Sequence, residues 1–263
     1  MSSKKSIVIL AILNIIGFLG TIIVNALANA LPINNNTTGE LSDKYPNLFV
    51  PAGLTFSIWG AIYLLLAIYV VYQAVRAFRR NGQDSAFASK IGVLFFILSL
   101  ANIGWIFAWH YELLPVSLVL MLVLLGTLLA IYLRLSIGIS DADNREKYMV
   151  HLPFSVYLGW ITIATIANVT ALLVHMNWNT FGLGEQFWTM AVIIIGIAIT
   201  LAVIFSRKDV YYGLVVDWAL LGILLKRLAA AAGPEYGIML VVIIGMVLVT
   251  LGILIQAARR KVY

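Results

Sequence analysis

Eight stretches of this chain run for about twenty residues with few or no Asp, Glu, Lys or Arg side chains. That pattern limits the possible folds more than any other feature of the sequence. The stretches lie at roughly 7–30, 53–75, 91–111, 114–133, 150–175, 187–206, 210–228 and 237–257. Crossing the hydrocarbon core of a bilayer takes about 20 helical residues. Only helices and closed barrels satisfy every backbone N–H and C=O within lipid, and barrel strands are about half this length. The expected fold is therefore all-α, a polytopic transmembrane helical bundle of eight helices. Composition agrees, with 62% hydrophobic and 11% charged residues among 263, where soluble domains carry about 25% charged residues. The absence of cysteine excludes disulfides, thiolate metal sites and cysteine nucleophiles.

The basic residues set an orientation. With the N-terminus inside, Lys4, Lys5, Arg76, Arg79, Arg80, Lys90, Arg134, Arg145, Lys147, Arg207, Lys208, Arg259, Arg260 and Lys261 all fall on the cytoplasmic side. Lys44, Lys226 and Arg227 fall outside, so the division is 14 against 3. The expectation is a multi-pass protein of the cell membrane with both termini cytoplasmic. The net charge of +6 follows from this topology and calls for no nucleic-acid partner. "KK", an apolar run and "ALANA" resemble a signal peptide, but the run exceeds twenty residues and reads as a retained first helix.

Most connections are short. The exception is Leu31 to Pro51, whose Asn, Thr, Gly and Pro content marks a loop. A connection of that length is either a functional lid or a disordered surface loop. The segment Met176 to Trp188, with Gly182 and Gly184, suggests a boundary that separates a five-helix membrane domain, residues 1–180, from a three-helix extension, residues 181–263.

Polar and aromatic residues at membrane depth carry the functional information, because each needs a partner or a cavity. Asn14, Asn25 and Asn29 share one stripe of helix one at 3.6 residues per turn. Trp59 and Tyr63 sit at i and i+4 on helix two, in "FSIWGAIY". Asn102, Trp105 and Trp109 sit at i, i+3 and i+7 on helix three. Tyr157, Trp160, Ala164 and Asn168 sit at i, i+3, i+7 and i+11 on helix five. Topology puts Asn25, Phe56, Trp59, Asn102, Trp105 and Asn168 in the outer halves of their helices, beneath the long connection. One reading is a pocket with ring-lined walls and a few polar groups, suited to a large planar or sterol-like ligand. The other is ordinary helix-to-helix hydrogen bonding plus an interfacial aromatic belt. Trp109, Trp178 and Trp188 lie near the boundary and read as belt.

At these residues the chain resembles the TspO/MBR family, the translocator or tryptophan-rich sensory proteins. "PAGLTFSIWGAIY" (Pro51 to Tyr63), "LANIGW" (Leu100 to Trp105) and "YLGWITIATIAN" (Tyr157 to Asn168) carry the resemblance, in the family's order and helix placement. It covers roughly residues 1–176. The chain departs from the pattern at Gly53, where the family has Trp, and at Phe56-Ser57, where it has Gly-Pro. It departs again near Ser117 and Met121, where the family has Trp and Asp. The resemblance implies a five-helix core, often dimeric, that binds porphyrins or, in animal members, sterols. It also implies that Trp59, Tyr63, Asn102, Trp105, Tyr157, Trp160, Ala164 and Asn168 line or support the pocket. No cofactor is required, though a porphyrin or haem-type ligand is compatible. Some members are implicated in light-dependent porphyrin breakdown, but no nucleophile–base pair, phosphate-binding loop or metal-ligand cluster in this chain points to an enzyme.

Asp217 is an acid well inside helix seven, at a cost of about 2.5–3.5 kcal/mol on insertion scales. This motivates an alternative function, a transporter of a small amphipathic solute with Asp217 as its proton or ion site. A third class is an accessory subunit whose added helices dock a partner. Lys226 and Arg227 either snorkel to the interface or attract the carboxylates of a ligand. Lys226 lies too close to the boundary to suit a retinal linkage, and His110, His151 and His175 are scattered at helix ends.

Overall fold

The computed structural model describes residues 4–31, 33–79, 86–230, 233 and 235–259. Arg80, Arg260, Lys261 and most of the charged connection after the second helix lie outside the described residues. The described residues form eight long helices: α1 (Lys4–Ala30), α2 (Ile58–Phe78), α3 (Leu94–His110), α4 (Leu114–Arg134), α5 (Leu152–His175), α6 (Glu185–Arg207), α7 (Val210–Leu228) and α8 (Tyr236–Ala258). Local signals fix several boundaries. Pro115 and Pro153 occupy the first turns of α4 and α5, where the missing N–H costs nothing. Lys208 ends α6 in the left-handed region, and the Asp209 side chain accepts from the Tyr212 N–H at 3.1 Å to cap α7.

Among the described residues, six helices are long and apolar enough to cross a membrane. The two exceptions have separate causes. α3 has only 17 residues, because its stretch breaks at Gly92 (φ +55) and leaves Ala86–Ile91 as a separate short helix. α7 has 19 residues but carries Asp217, Lys226 and Arg227. The outward faces suit lipid. Ile9, Ile16 and Ile23 on α1, and Leu240, Val247 and Leu254 on α8, are all more than half exposed at seven-residue spacing. On a soluble protein such stripes would form an apolar patch far larger than water tolerates. The protein is a multi-pass helical membrane protein.

Helices α1, α2, α5, α4 and α3 pack in that cyclic order around a shared interior, and α7 packs against α5 and holds α6 and α8 to its other sides. The last three helices also reach the first five through the lead-in to α2. The Ala52 N–H donates to the Gly222 carbonyl at 2.9 Å, and Trp218 Nε1 donates to the Thr55 carbonyl at 3.0 Å. Gly222 permits this approach, since a Cβ there would lie 1.9 Å from Thr55 Oγ1 and 2.9 Å from Thr55 Cβ. At the opposite end Asp209, fully buried, accepts from Tyr132 at 2.9 Å and from Ser155 at 2.6 Å, tying the α6–α7 junction to α4 and α5. Burial of that carboxyl raises its pKa, against the lowering by its Ser155, Tyr212 and Tyr132 bonds. Gly222→Ala is expected to push the α2 lead-in off α7 and destabilise the protein by about 1–3 kcal/mol. A thermal melt in detergent at the same midpoint as wild type would refute that packing.

Candidate functional site

The sequence stripes of α2, α3 and α5 converge near the end of the bundle that carries the 31–51 connection. Trp59 is the hub of this cluster. Its ring stacks on Tyr63 at 5.5 Å and meets Trp105 at 6.1 Å, Tyr157 at 5.8 Å and Trp160 at 6.2 Å. Phe56 meets Trp160 edge-on at 6.0 Å. The helical repeat explains why one side of each helix supplies the rings, since i, i+3, i+4 and i+7 fall together. Asn102, Trp105, Trp160 and Asn168 do not face lipid: exposure is 1% for Asn102, 3% for Trp160 and Asn168 and 5% for Trp105.

A chain of hydrogen bonds underlies the rings. Asn25 Nδ2 donates to Asn102 Oδ1 at 2.7 Å, and Asn102 Nδ2 donates to the Tyr157 hydroxyl at 2.9 Å. Ser117 donates to Asn168 Oδ1 at 3.2 Å, so the short side chain on α4 becomes a partner for the α5 amide. Above this layer lies a cavity of about 40 Å³. Phe56, Trp59, Trp105, Trp160, Ala164 and Asn168 all line it. Asn25, Tyr63, Asn102 and Tyr157 do not. They form the hydrogen-bonded and stacked layer that holds the lining rings. Among the described residues, no ionisable side chain lines the cavity. Trp105 Nε1, Trp160 Nε1 and Asn168 Nδ2 are buried donors with no acceptor among the described residues. Buried donors are normally paired, so three of them around one space mark a place for an acceptor.

The 31–51 connection closes this space. Its Thr38–Lys44 segment is a short helix with a capping box, in which Thr37 Oγ1 accepts from the Glu40 N–H at 3.3 Å and Glu40 accepts from the Thr37 N–H at 2.7 Å. The Thr37-x-x-Glu40 signature was legible in the sequence. Thr38, Ser42 and Pro51 roof the cavity. Four contacts latch the roof. Trp109 Nε1 donates to the Thr38 carbonyl at 3.3 Å, Lys226 pairs with Asp43 at 2.6 Å, and Glu112 pairs with Lys44 and accepts from the Tyr45 hydroxyl at 2.6 Å. The Tyr45 ring also lies 6.3 Å from Trp109 and 6.0 Å from His175.

Two sequence readings change here. Trp109 is not an interfacial belt residue. It is 5% exposed, stacks on Trp105 at 6.0 Å and lines the cavity. Depth along a helix places a belt Trp and a pocket Trp at the same level, so the sequence could not separate them. Lys226 is not an open lure for carboxylates, because Asp43 holds it. Asp217 lies away from the cavity and accepts from Thr250 on α8 at 2.8 Å. Asp209, fully buried, lies between two apolar runs, where no local sequence pattern signals its burial.

These features define a multi-pass membrane protein with a roofed, ring-lined internal site. The family profile described as TSPO-like protein matches residues 11–255, from α1 into α8. The chain belongs to that family, and the match takes in the three C-terminal helices as well as the segment that carries the motifs. Neither curated proteins nor solved structures give a significant match.

The latch titrates. The Lys44 and Tyr45 bonds hold the Glu112 carboxyl below its usual range, and the charges of Lys44 and His175 lower it further. Burial, with Glu112 beside it, pushes the Tyr45 hydroxyl up to about 12. A carboxyl with a depressed folded pKa contributes fully above the ordinary carboxylate range and loses its contribution as pH falls through the depressed value. The protection of amides 38–44, taken as exchange relative to the intrinsic rate at each pH, is therefore expected to hold at neutral pH and to fall only in acid. Glu112→Gln should show the reduced protection already at neutral pH, and a variant protected like wild type would rule the latch out.

Proposed function

We propose that this protein is a binding and sensory protein of the membrane whose aromatic cavity takes a hydrophobic planar ligand, such as a tetrapyrrole or a sterol-like lipid. The observation that carries this reading is the set of three unpaired donors, Trp105 Nε1, Trp160 Nε1 and Asn168 Nδ2, around one ring-lined cavity. Rings offer flat apolar contact to a flat ligand, and the donors offer its acceptor atoms a fixed orientation. Membership in the TSPO-like family supports the same class.

The cavity of about 40 Å³ is far below the roughly 300–1,000 Å³ of sites for drug-sized ligands. Binding on this reading displaces the 38–44 roof and parts the rings around Trp59. The roof latches and the half-buried state of Phe56, Trp59 and Ala164 make that side of the site the yielding one. On this reading the site binds, since its walls supply rings, amides and hydroxyls. A transporter that uses Asp217 gains nothing from this geometry, since that carboxyl engages Thr250 and does not line the cavity. The 14-to-3 division of basic residues supports cytoplasmic termini in the cell membrane, and the family resemblance supports a homodimer.

Porphyrin titration of the full chain in nanodiscs, read through the porphyrin's own absorption band, tests the assignment. Trp105→Ala and Asn102→Ala should each raise the dissociation constant about ten-fold, or about 1.4 kcal/mol, as expected for truncating a central contact or its support. Unchanged affinity in both variants would overturn it.

A further inference from the structure

A second and larger space lies apart from the ring-lined cavity. A groove of about 750 Å³ runs between α5 and α6, closed at one end by the 176–184 connection. It exists because α6 is held by α7 and α8 and diverges from α5. Its deep walls are apolar, with Ile166, Val169 and Leu173 from α5 and Val192 from α6. The two spaces share no residue. α5 gives Ala164, Ala167 and Asn168 to the cavity and Thr165, Ile166 and Val169 to the groove, so a single helix forms a wall of each.

The mouth of the groove has a distinct chemistry. Trp178, Phe181 and Trp188 form a ring cluster there, with centroids 5.3 Å apart for Trp178–Phe181, 5.3 Å for Trp178–Trp188 and 6.2 Å for Phe181–Trp188. A bond from Trp188 Nε1 to the Thr180 carbonyl at 2.8 Å fixes the connection to α6. Asn177, Thr180 and Phe181 all hold positive φ, near +51, +55 and +51. Non-glycine residues adopt such angles only where the surroundings impose them. The Phe181 ring is nevertheless 74% exposed. Among the described residues, Glu185 is the one ionisable residue lining the groove, and no Lys, Arg or His lines it. Glu185 makes no hydrogen bond or ion pair with any described residue, whereas its neighbour Gln186 bonds to Glu235 at 3.0 Å.

A carboxylate without a partner beside three aromatic faces attracts an organic cation, through charge and through the negative faces of the rings. The same residues repel an anionic headgroup. We propose that the groove is a second binding site, for an amphipathic organic cation: its apolar body lies between α5 and α6, and its ammonium head rests against Trp178, Phe181, Trp188 and Glu185. The volume falls within the range of small-molecule sites, and the depth from Asn177 to Thr165, about 18 Å at 1.5 Å per residue, accommodates an extended chain.

The test uses the full chain in nanodiscs of a neutral, sugar-headed lipid. The probes are a bromine-labelled alkyl chain with a trimethylammonium head and the same chain with a sulfate head. The readout is quenching of tryptophan fluorescence. The ammonium probe should quench saturably, and the sulfate probe only in proportion to its partitioning. Glu185→Gln, at an exposed position that does not threaten folding, should raise the ammonium midpoint about five-fold, the size of one half-exposed charge contact. Asn102→Ala should leave that midpoint unchanged, which separates this site from the ring-lined cavity. Equal saturation by both probes, or an unchanged midpoint in Glu185→Gln, overturns the proposal. Adding phosphatidylcholine to the nanodisc distinguishes the sources. Competition assigns the site to a bilayer lipid with a quaternary ammonium head, and lack of competition assigns it to a free amphiphile of the same head chemistry.

Discussion

Hydrocarbon offers a polar side chain nothing to bond to, and the interior of the first five helices is arranged around that cost. Asn25, Asn102 and Tyr157 sit on three different helices and satisfy one another in sequence. Asn14 does the same nearer the terminal end of the bundle, donating to Gln73 at 2.9 Å. Each bond joins helices that apolar packing alone would leave free to rotate, because lipid tails contact a leucine face as readily as another helix does. The ring cluster depends on this framework. Trp105 and Trp160 lie one turn beyond Asn102 and Tyr157, so the amide chain sets the rotation that aims both indoles at one space.

The three C-terminal helices are part of how that space is closed. α7 grips the lead-in to α2 through the Gly222 and Trp218 contacts, and Lys226 at its end holds Asp43 of the roof. The roof is thus latched to α3 and the turn that follows it through Trp109 and Glu112, and to α7 through Lys226. A five-helix core by itself would keep the first set of latches and lose the second. The family match over residues 11–255 runs from α1 into α8.

α5 emerges as the central partition. One side carries the amide and indole groups of the closed cavity, and the other carries the aliphatic wall of the open groove. The two spaces differ in the way their chemistry demands. The cavity is lined by neutral donors without acceptors and is nearly filled by its own rings. The groove is wide, apolar at depth and acidic at its mouth.

Much of this was legible before any coordinates. Apolar runs of about twenty residues specify membrane-crossing helices, because backbone polar groups have no other way to be satisfied in lipid. Helical periodicity placed Asn102 with Trp105, and Trp160 with Asn168, on single faces, since 3.6 residues per turn is a property of the backbone and not of the neighbours. Tertiary structure decided the rest. The sequence could not distinguish a roof Trp109 from a belt Trp109, since both lie at one depth. Nor could it pair Asp43 with Lys226, 183 residues away, or reveal that the cavity closes to about 40 Å³ while a larger groove opens behind it. Those outcomes depend on how helices rotate and diverge against one another, and such angles arise from side-chain packing summed over many contacts rather than from any local pattern.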